Sequence, residues 1–208
     1  MNTNKSYIWI SFIVLIFGIW AVPKIIKKFE KADLVTIGPA PEFSLINQDE
    51  KQITNADYAG KVYVLEFFFA SCPTICPIMN QNMLKLQDTF YGNLKFGIAS
   101  ITIDPANDTP TALKKHMDEL GVKLPFWNML TGDTSYIFDL SKKFNLYAGI
   151  NAESPGGFEH SGLFALIDKD GNIRCRKDAF GNPILYYDGT DDEGVKMIEE
   201  DIKLLLAE

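Results

Sequence analysis

The side chains best equipped for chemistry are Cys72 and Cys76, four positions apart in Cys72-Pro73-Thr74-Ile75-Cys76-Pro77. A thiolate is both the nucleophile of disulfide exchange and a soft ligand for Cu(I) or zinc, so the pair points to redox or metal chemistry. Three residues separate the sulfurs, one more than in a thioredoxin-type redox motif. The wider loop can close a disulfide or turn both sulfurs to one ion. Upstream, the apolar, β-branched and aromatic run from Val62 to Phe69 reads as a buried strand; downstream, a helical pattern runs from Ile78 to Phe90. Pro77 suits the first helical position, which makes Cys76 the expected N-cap, and Pro73 biases Cys72 towards an extended conformation. Both sulfurs then sit at a helix N-terminus, whose free N–H groups and partial positive charge favour thiolate. Two inert structural cysteines are the plainer reading, and the flanking prolines at a strand-to-helix junction argue against it.

The segment from Pro41 to Met83 resembles the Sco/SenC family of copper proteins that help assemble cytochrome c oxidase. The matching residues are Pro41, Phe43 and Leu45, then Gly60-Lys61-Val62, Phe67, Ser71 and the Cys72-Pro73-x-x-Cys76-Pro77 core. Beyond it come Asp104-Pro105, Asp108-Thr109-Pro110, Trp127, Leu130-Thr131-Gly132 and His160-Ser161, in the family's order. A lone cysteine pair is weak evidence, whereas the pair with a distant histidine in a fixed series of landmarks is specific. The resemblance implies a thioredoxin-like three-layer α/β/α domain with an N-terminal β-hairpin. It implies His160 as a third metal ligand beside Cys72 and Cys76. Two thiolates and an imidazole suit three-coordinate Cu(I), an added oxygen or water suits Cu(II), and zinc accepts the same donors. The imidazole is expected to need a further hydrogen bond to fix its tautomer. The implied function is a copper metallochaperone delivering to cytochrome c oxidase subunit II or another copper-site apoprotein. Two departures from the family pattern stand out: Thr74 replaces an acid, and Asn107 replaces an arginine.

Two other functions fit parts of this pattern. A thiol–disulfide oxidoreductase would use Cys72 or Cys76 as attacking thiolate, draw on a thiol reductant and keep a target's cysteines reduced. A thiol peroxidase fits less well, because no Pro-x-x-x-Thr-x-x-Cys signature precedes Cys72 and His160 would lack a task.

The elements that must hold these residues are legible in outline. At 208 residues and 47% hydrophobic content, the chain supports one domain with one core. An apolar run from Tyr7 to Val22 is followed by Pro23 and four lysines. It reads as a transmembrane anchor over residues 7–26, after a tail of 1–6 and before a linker of 27–40 and the domain of 41–208. The lysines after the run, taken alone, would keep the domain in the cytoplasm. The resemblance implies instead a single-pass protein of the inner (cytoplasmic) membrane, its domain facing the periplasm or outer side. Outside residues 1–31 the chain carries 15 basic and 26 acidic side chains, a net of −11, so electrostatics does not draw it to nucleic acid.

Along the domain, Phe43–Ile46 and Gln52–Asn55 flank a turn and read as a hairpin. Leu94–Ile103 is a second strand. Helices are expected from Asp108 or Thr109 to Leu120, from Asp133 through Phe144 and from Asp192 to Leu206. Gly162–Ile167 and the stretch from Ile173 form a β-hairpin. Cys175 is expected to be a buried inert thiol. Ile78, Leu86 and Phe90 are placed inward, with Met79 and Met83 near that face as packing or extra copper ligands. His116 is expected on the surface. Glu66 shares its strand face with Val62, Val64 and Phe68. It either reaches solvent at an edge or bulge, or is a desolvated carboxyl able to relay protons to the cysteines.

Overall fold

The computed structural model describes residues 9–19 and 34–208. It divides into two units, residues 1–33 and 34–208. In the first, residues 9–19 form helix α1, apolar apart from Ser11 and Gly18. No described helix is long and apolar enough to cross a membrane. The expected tail, the ends of the expected anchor, and linker residues 27–33 lie outside the described residues.

The second unit is built on a nine-stranded sheet, counted among the described residues. Its centre is β4 (Val62–Phe68) and β5 (Phe96–Thr102), both buried at every position. Strands covered on both faces read as continuous apolar runs, and these do. They pair in parallel from Val62↔Phe96 to Phe68↔Thr102, and β6 (Trp127–Thr131) continues in parallel beside β5. Such crossovers need helices: α2 (Cys76–Phe90) joins β4 to β5, and α3 (Pro110–Leu120) joins β5 to β6. The hairpin β2 (Ser44–Asn47) and β3 (Gln52–Thr54) extends the sheet beyond β6. Its turn is closed by Asn47 Oδ1, which accepts from the amides of Asp49 and Lys51.

On the other side of β4 lies the expected hairpin of β9 (Leu163–Ile167) and β10 (Asn172–Cys175), antiparallel to β4 through β9. The edge is β1 (Val35–Pro39), paired with β10 from Val35↔Cys175. The sheet therefore begins at Val35, inside the stretch read as tether, because β10 offers a free edge that no local signal announces. A short strand β11 (Tyr187–Asp188) also pairs with β9.

Helix starts follow their caps. Thr109 Oγ1 accepts from Ala112 N, Asp133 Oδ1 from Tyr136 N, and Asp191 Oδ1 from Gly194 N. These set α3, α4 (Thr134–Lys143) and α5 (Asp192–Ala207). Neighbouring Phe67 and Phe68 point to opposite faces of β4: Phe67 packs against Phe144 beyond α4, and Phe68 stacks on His116 of α3. Asn80 of α2 meets His116 and α5 packs on α2, so the sheet lies between two helical layers. This is the thioredoxin-like α/β arrangement. Cys175 is fully buried.

Candidate metal centre

Beyond Phe68 the chain turns, with Cys72 N donating to Phe69 O. Cys76 is the first residue of α2 and Ile75 its N-cap, one position earlier than Pro77 suggests. The reason is a hydrogen bond: Met79 N already donates to Ile75 O, closing a helical turn around Cys76 and Pro77. Leu86 and Phe90 face the core as expected, and Ile78 does not. Ile78 is 48% exposed, while Met79 and Met83 are wholly buried among core residues. The two methionines pack the core.

His160 arrives from elsewhere. It ends β8 (Phe158–His160), which pairs with β7 (Ala148–Ile150) in a separate two-stranded ribbon, Ala148 opposite His160. A turn at Pro155–Gly157 leads into β8. Gly156 at φ +84° and Gly162 at φ +66° bracket it, in a backbone region that side chains resist. A Cβ on Gly156 would come within 2.8 Å of Phe69 Cε2, so the turn lies directly on that ring.

The ribbon and the cysteine loop meet. Cys76 Sγ lies 3.0 Å from His160 Nε2. The ligand atoms of Cys72, Cys76 and His160 all lie within 4.8 Å of one another, the one such group of three among the described residues. All three cysteines are free thiols. Phe69, Cys72, Thr74, Ile75, Phe158 and His160 are among the residues lining a cavity of about 130 Å³ at this point.

The two sulfurs differ electrically. Burial works against ionisation of Cys72, but the Thr74 hydroxyl and the amides of Cys76 and Thr74 donate to its sulfur and outweigh it, so its pKa is lowered. The Thr74 Oγ1 distance is 3.5 Å, so the residue that departs from the family pattern makes a polar contact with the sulfur itself. Burial pushes Cys76 well above an ordinary thiol even though the Phe69 amide donates to its sulfur. The helix N-terminus therefore favours thiolate at Cys72 alone, correcting the expectation for both. Burial holds His160 down to about 4, leaving a neutral imidazole able to donate a lone pair. Its Nδ1 is buried without a partner among the described residues, so the hydrogen bond expected to fix the tautomer is not made there. Adjacent Glu159 instead accepts from Asn151 Nδ2 and Ser154 Oγ.

Glu66 takes the second of its two expected places, as a desolvated carboxyl, and His116 departs from expectation. Glu66 is fully buried, because β4 is central rather than an edge. Ser100 Oγ donates to its Oε1 at 2.7 Å, Trp127 Nε1 donates to Ser100 Oγ, and Oε2 has no partner among the described residues. Burial pushes the Glu66 carboxyl up to about 7. His116 is half-buried, stacked on Phe68 and 3.3 Å from Asn80 Nδ2, rather than solvated. Burial lowers its pKa. Asp108, seen in the sequence as a possible cap, does other work. Its Oδ2 accepts from Ala70 N at 3.0 Å and from the Thr102 hydroxyl at 2.5 Å. No sequence signal announces a contact 38 residues apart.

Comparison with known proteins agrees with this arrangement. The SCO1/SenC family model matches residues 36–188. The SCO1 protein homolog of Bacillus subtilis (strain 168) is 32% identical over 133 residues, covering 63% of this chain and 69% of that protein. BsSco, a member of the Sco family of cytochrome c oxidase assembly proteins in which a disulfide switch has been identified, matches with a TM-score of 0.66. It is 28% identical, over 82% of this chain and 95% of that one. Yeast Sco1 with copper bound matches with a TM-score of 0.60 at 26% identity, over 79% and 88%. With the family model spanning most of the domain, this chain belongs to the SCO1/SenC family.

Proposed function

We propose that this chain binds copper through Cys72, Cys76 and His160 and assists assembly of the copper centre of cytochrome c oxidase. The observation that carries the reading is the convergence of two free thiols and a neutral imidazole, their ligand atoms within 4.8 Å, from two separate elements. Thiolate and imidazole together are a donor set for Cu(I), and neither sulfur is committed elsewhere. The orphaned His160 Nδ1 fits a ring that points Nε2 at the sulfurs. Copper is the cargo, handed by ligand exchange to an apoprotein such as oxidase subunit II. The copper-bound yeast relative and the oxidase-assembly role named for BsSco support the reading. We further infer a single-pass membrane protein held through the apolar N-terminal run, with the domain on the outer side.

A second reading, a thiol–disulfide oxidoreductase, is favoured by one observation: Cys72 is the more acidic thiol and Cys76 the buried one, the division of labour of an attacking and a resolving sulfur. Copper titration of the reduced chain, wild type and His160→Ala, separates the two. Loss of the imidazole is expected to weaken copper binding by at least about tenfold, the scale on which even the outer partners of a ligand are felt. Unchanged copper affinity with intact disulfide exchange would replace the first reading by the second.

A further inference from the structure

We propose that Asp108 is a positioning residue for the cysteine pair, acting through the peptide between Phe69 and Ala70. The inference takes the cysteine pair as the working site, as proposed above. The peptide between Phe69 and Ala70, just beyond β4, is held at both ends. Its N–H, on Ala70, donates to Asp108 Oδ2 at 3.0 Å, and its carbonyl, on Phe69, accepts from Cys72 N at 3.2 Å. The peptide is planar, so anchoring its N–H fixes the direction of the carbonyl that holds the Cys72 backbone. Asp108 is itself fixed. The Thr102 hydroxyl at the end of β5 donates to the same oxygen at 2.5 Å, and Asp108 N donates to Asp104 O. Thr102 Oγ1 in turn accepts from Asp104 N at 3.0 Å, and Asn107 Nδ2 donates to Asp104 Oδ2 at 2.8 Å. Asp108 and Thr102 are both buried, so water does not substitute for either contact. The loop from Ile103 to Thr109 is a bracket that runs from the end of β5 to the N-cap of α3, and through the Phe69–Ala70 peptide it sets where the Cys72 backbone is held.

One oxygen takes both donors, so Asp108→Asn keeps the anchor if its Oδ1 occupies that place, whereas Asp108→Ala removes it. The probe is the metal-free equilibrium in which the Cys72–Cys76 dithiol and glutathione disulfide give the protein disulfide and two glutathione thiols. One S–S bond is exchanged for another, and both glutathione sulfurs leave as thiols. Releasing the peptide should lower the disulfide fraction's equilibrium constant by about tenfold in Asp108→Ala, the scale of one buried hydrogen bond, with Asp108→Asn close to wild type. Unfolding midpoints are measured alongside, because a merely structural role would lower them without moving the glutathione equilibrium. Should Asp108→Ala not fold, Thr102→Val carries the test and is expected to shift the equilibrium in the same direction. A wild-type equilibrium in folded Asp108→Ala, or in Thr102→Val, overturns the proposal; so does Asp108→Asn behaving like Asp108→Ala, which would make charge the operative property. Absence of copper binding would sink the proposed function and leave this measurement standing.

Discussion

Glu66→Gln should change how stability depends on pH. Burial raises the Glu66 carboxyl from 4.5 to about 7, with the Ser100 hydroxyl bond only partly opposing it. Between those values the folded chain holds a proton that the unfolded chain has released. Stability from this group is therefore complete below pH 4.5 and is lost as pH rises through about 7. At about 1.4 kcal/mol per pH unit, the loss is about 3 kcal/mol. His160 runs the other way: burial lowers it from 6.5 to about 4, so its contribution is absent at acid pH and gained as pH rises to 6.5. The half-buried His116 adds to that gain in the same direction. The wild-type profile then masks both trends, and the informative quantity is the difference between variant and wild type. Guanidinium unfolding of the metal-free reduced chain at several pH values from 4 to 8 should show Glu66→Gln gaining about 3 kcal/mol on wild type across that range. The Gln amide still accepts from Ser100 in place of Oε1, so a constant offset is allowed. A difference that stays flat with pH would refute the desolvated carboxyl.

Two further outcomes follow from the site. Brief iodoacetamide treatment near neutral pH, read by peptide mass spectrometry, should alkylate Cys72 well before Cys76, since hydrogen bonds favour the Cys72 thiolate and burial suppresses that of Cys76; Cys76 labelling first would contradict the assignment. Gly156→Ala combines a φ of +84° with a Cβ 2.8 Å from Phe69 Cε2, so it should cost about 1–3 kcal/mol of stability and weaken copper binding by displacing the ribbon that carries His160. Thermal unfolding and copper titration check both parts, and an unchanged affinity would separate ribbon position from binding.

What could be read from the sequence divides along a physical line. The strand β4, the capped helices and the β9–β10 hairpin are local: apolar runs, Thr109, Asp133 and the Asp168–Asn172 turn announce them. So was the cysteine pair at its junction, while His160 entered only through resemblance to a family. What failed or stayed open depended on contacts between distant segments. Val35–Pro39 becomes a strand because β10 lies beside it, and Glu66 is buried because β4 is flanked by β9 and β5. His116 leaves the surface because Phe68 and Asn80 meet it. The inward placement of Ile78 failed within one helix: Met79, Met83, Leu86 and Phe90 share the buried face at helical spacing, and Ile78 lies off it.

Phe69 explains how the two halves of the site are brought into register. Its amide donates to the Cys76 sulfur, while its ring meets His160 edge-on at 6.0 Å and Phe158 at 5.4 Å. The cysteines belong to the turn and helix that follow the central strand β4 and the histidine to a ribbon outside the main sheet, so the sheet's own hydrogen bonding does not fix their separation. Ring packing supplies that constraint, and Gly156 lets the turn before β8 lie against the same ring without a clash. Asp108 holds the far side of the residue through Ala70. The distance between sulfur and imidazole is thus set by a single aromatic residue clamped on its backbone by an aspartate and on its ring by the ribbon. Substitutions that loosen either clamp are expected to act on the site with no ligand altered.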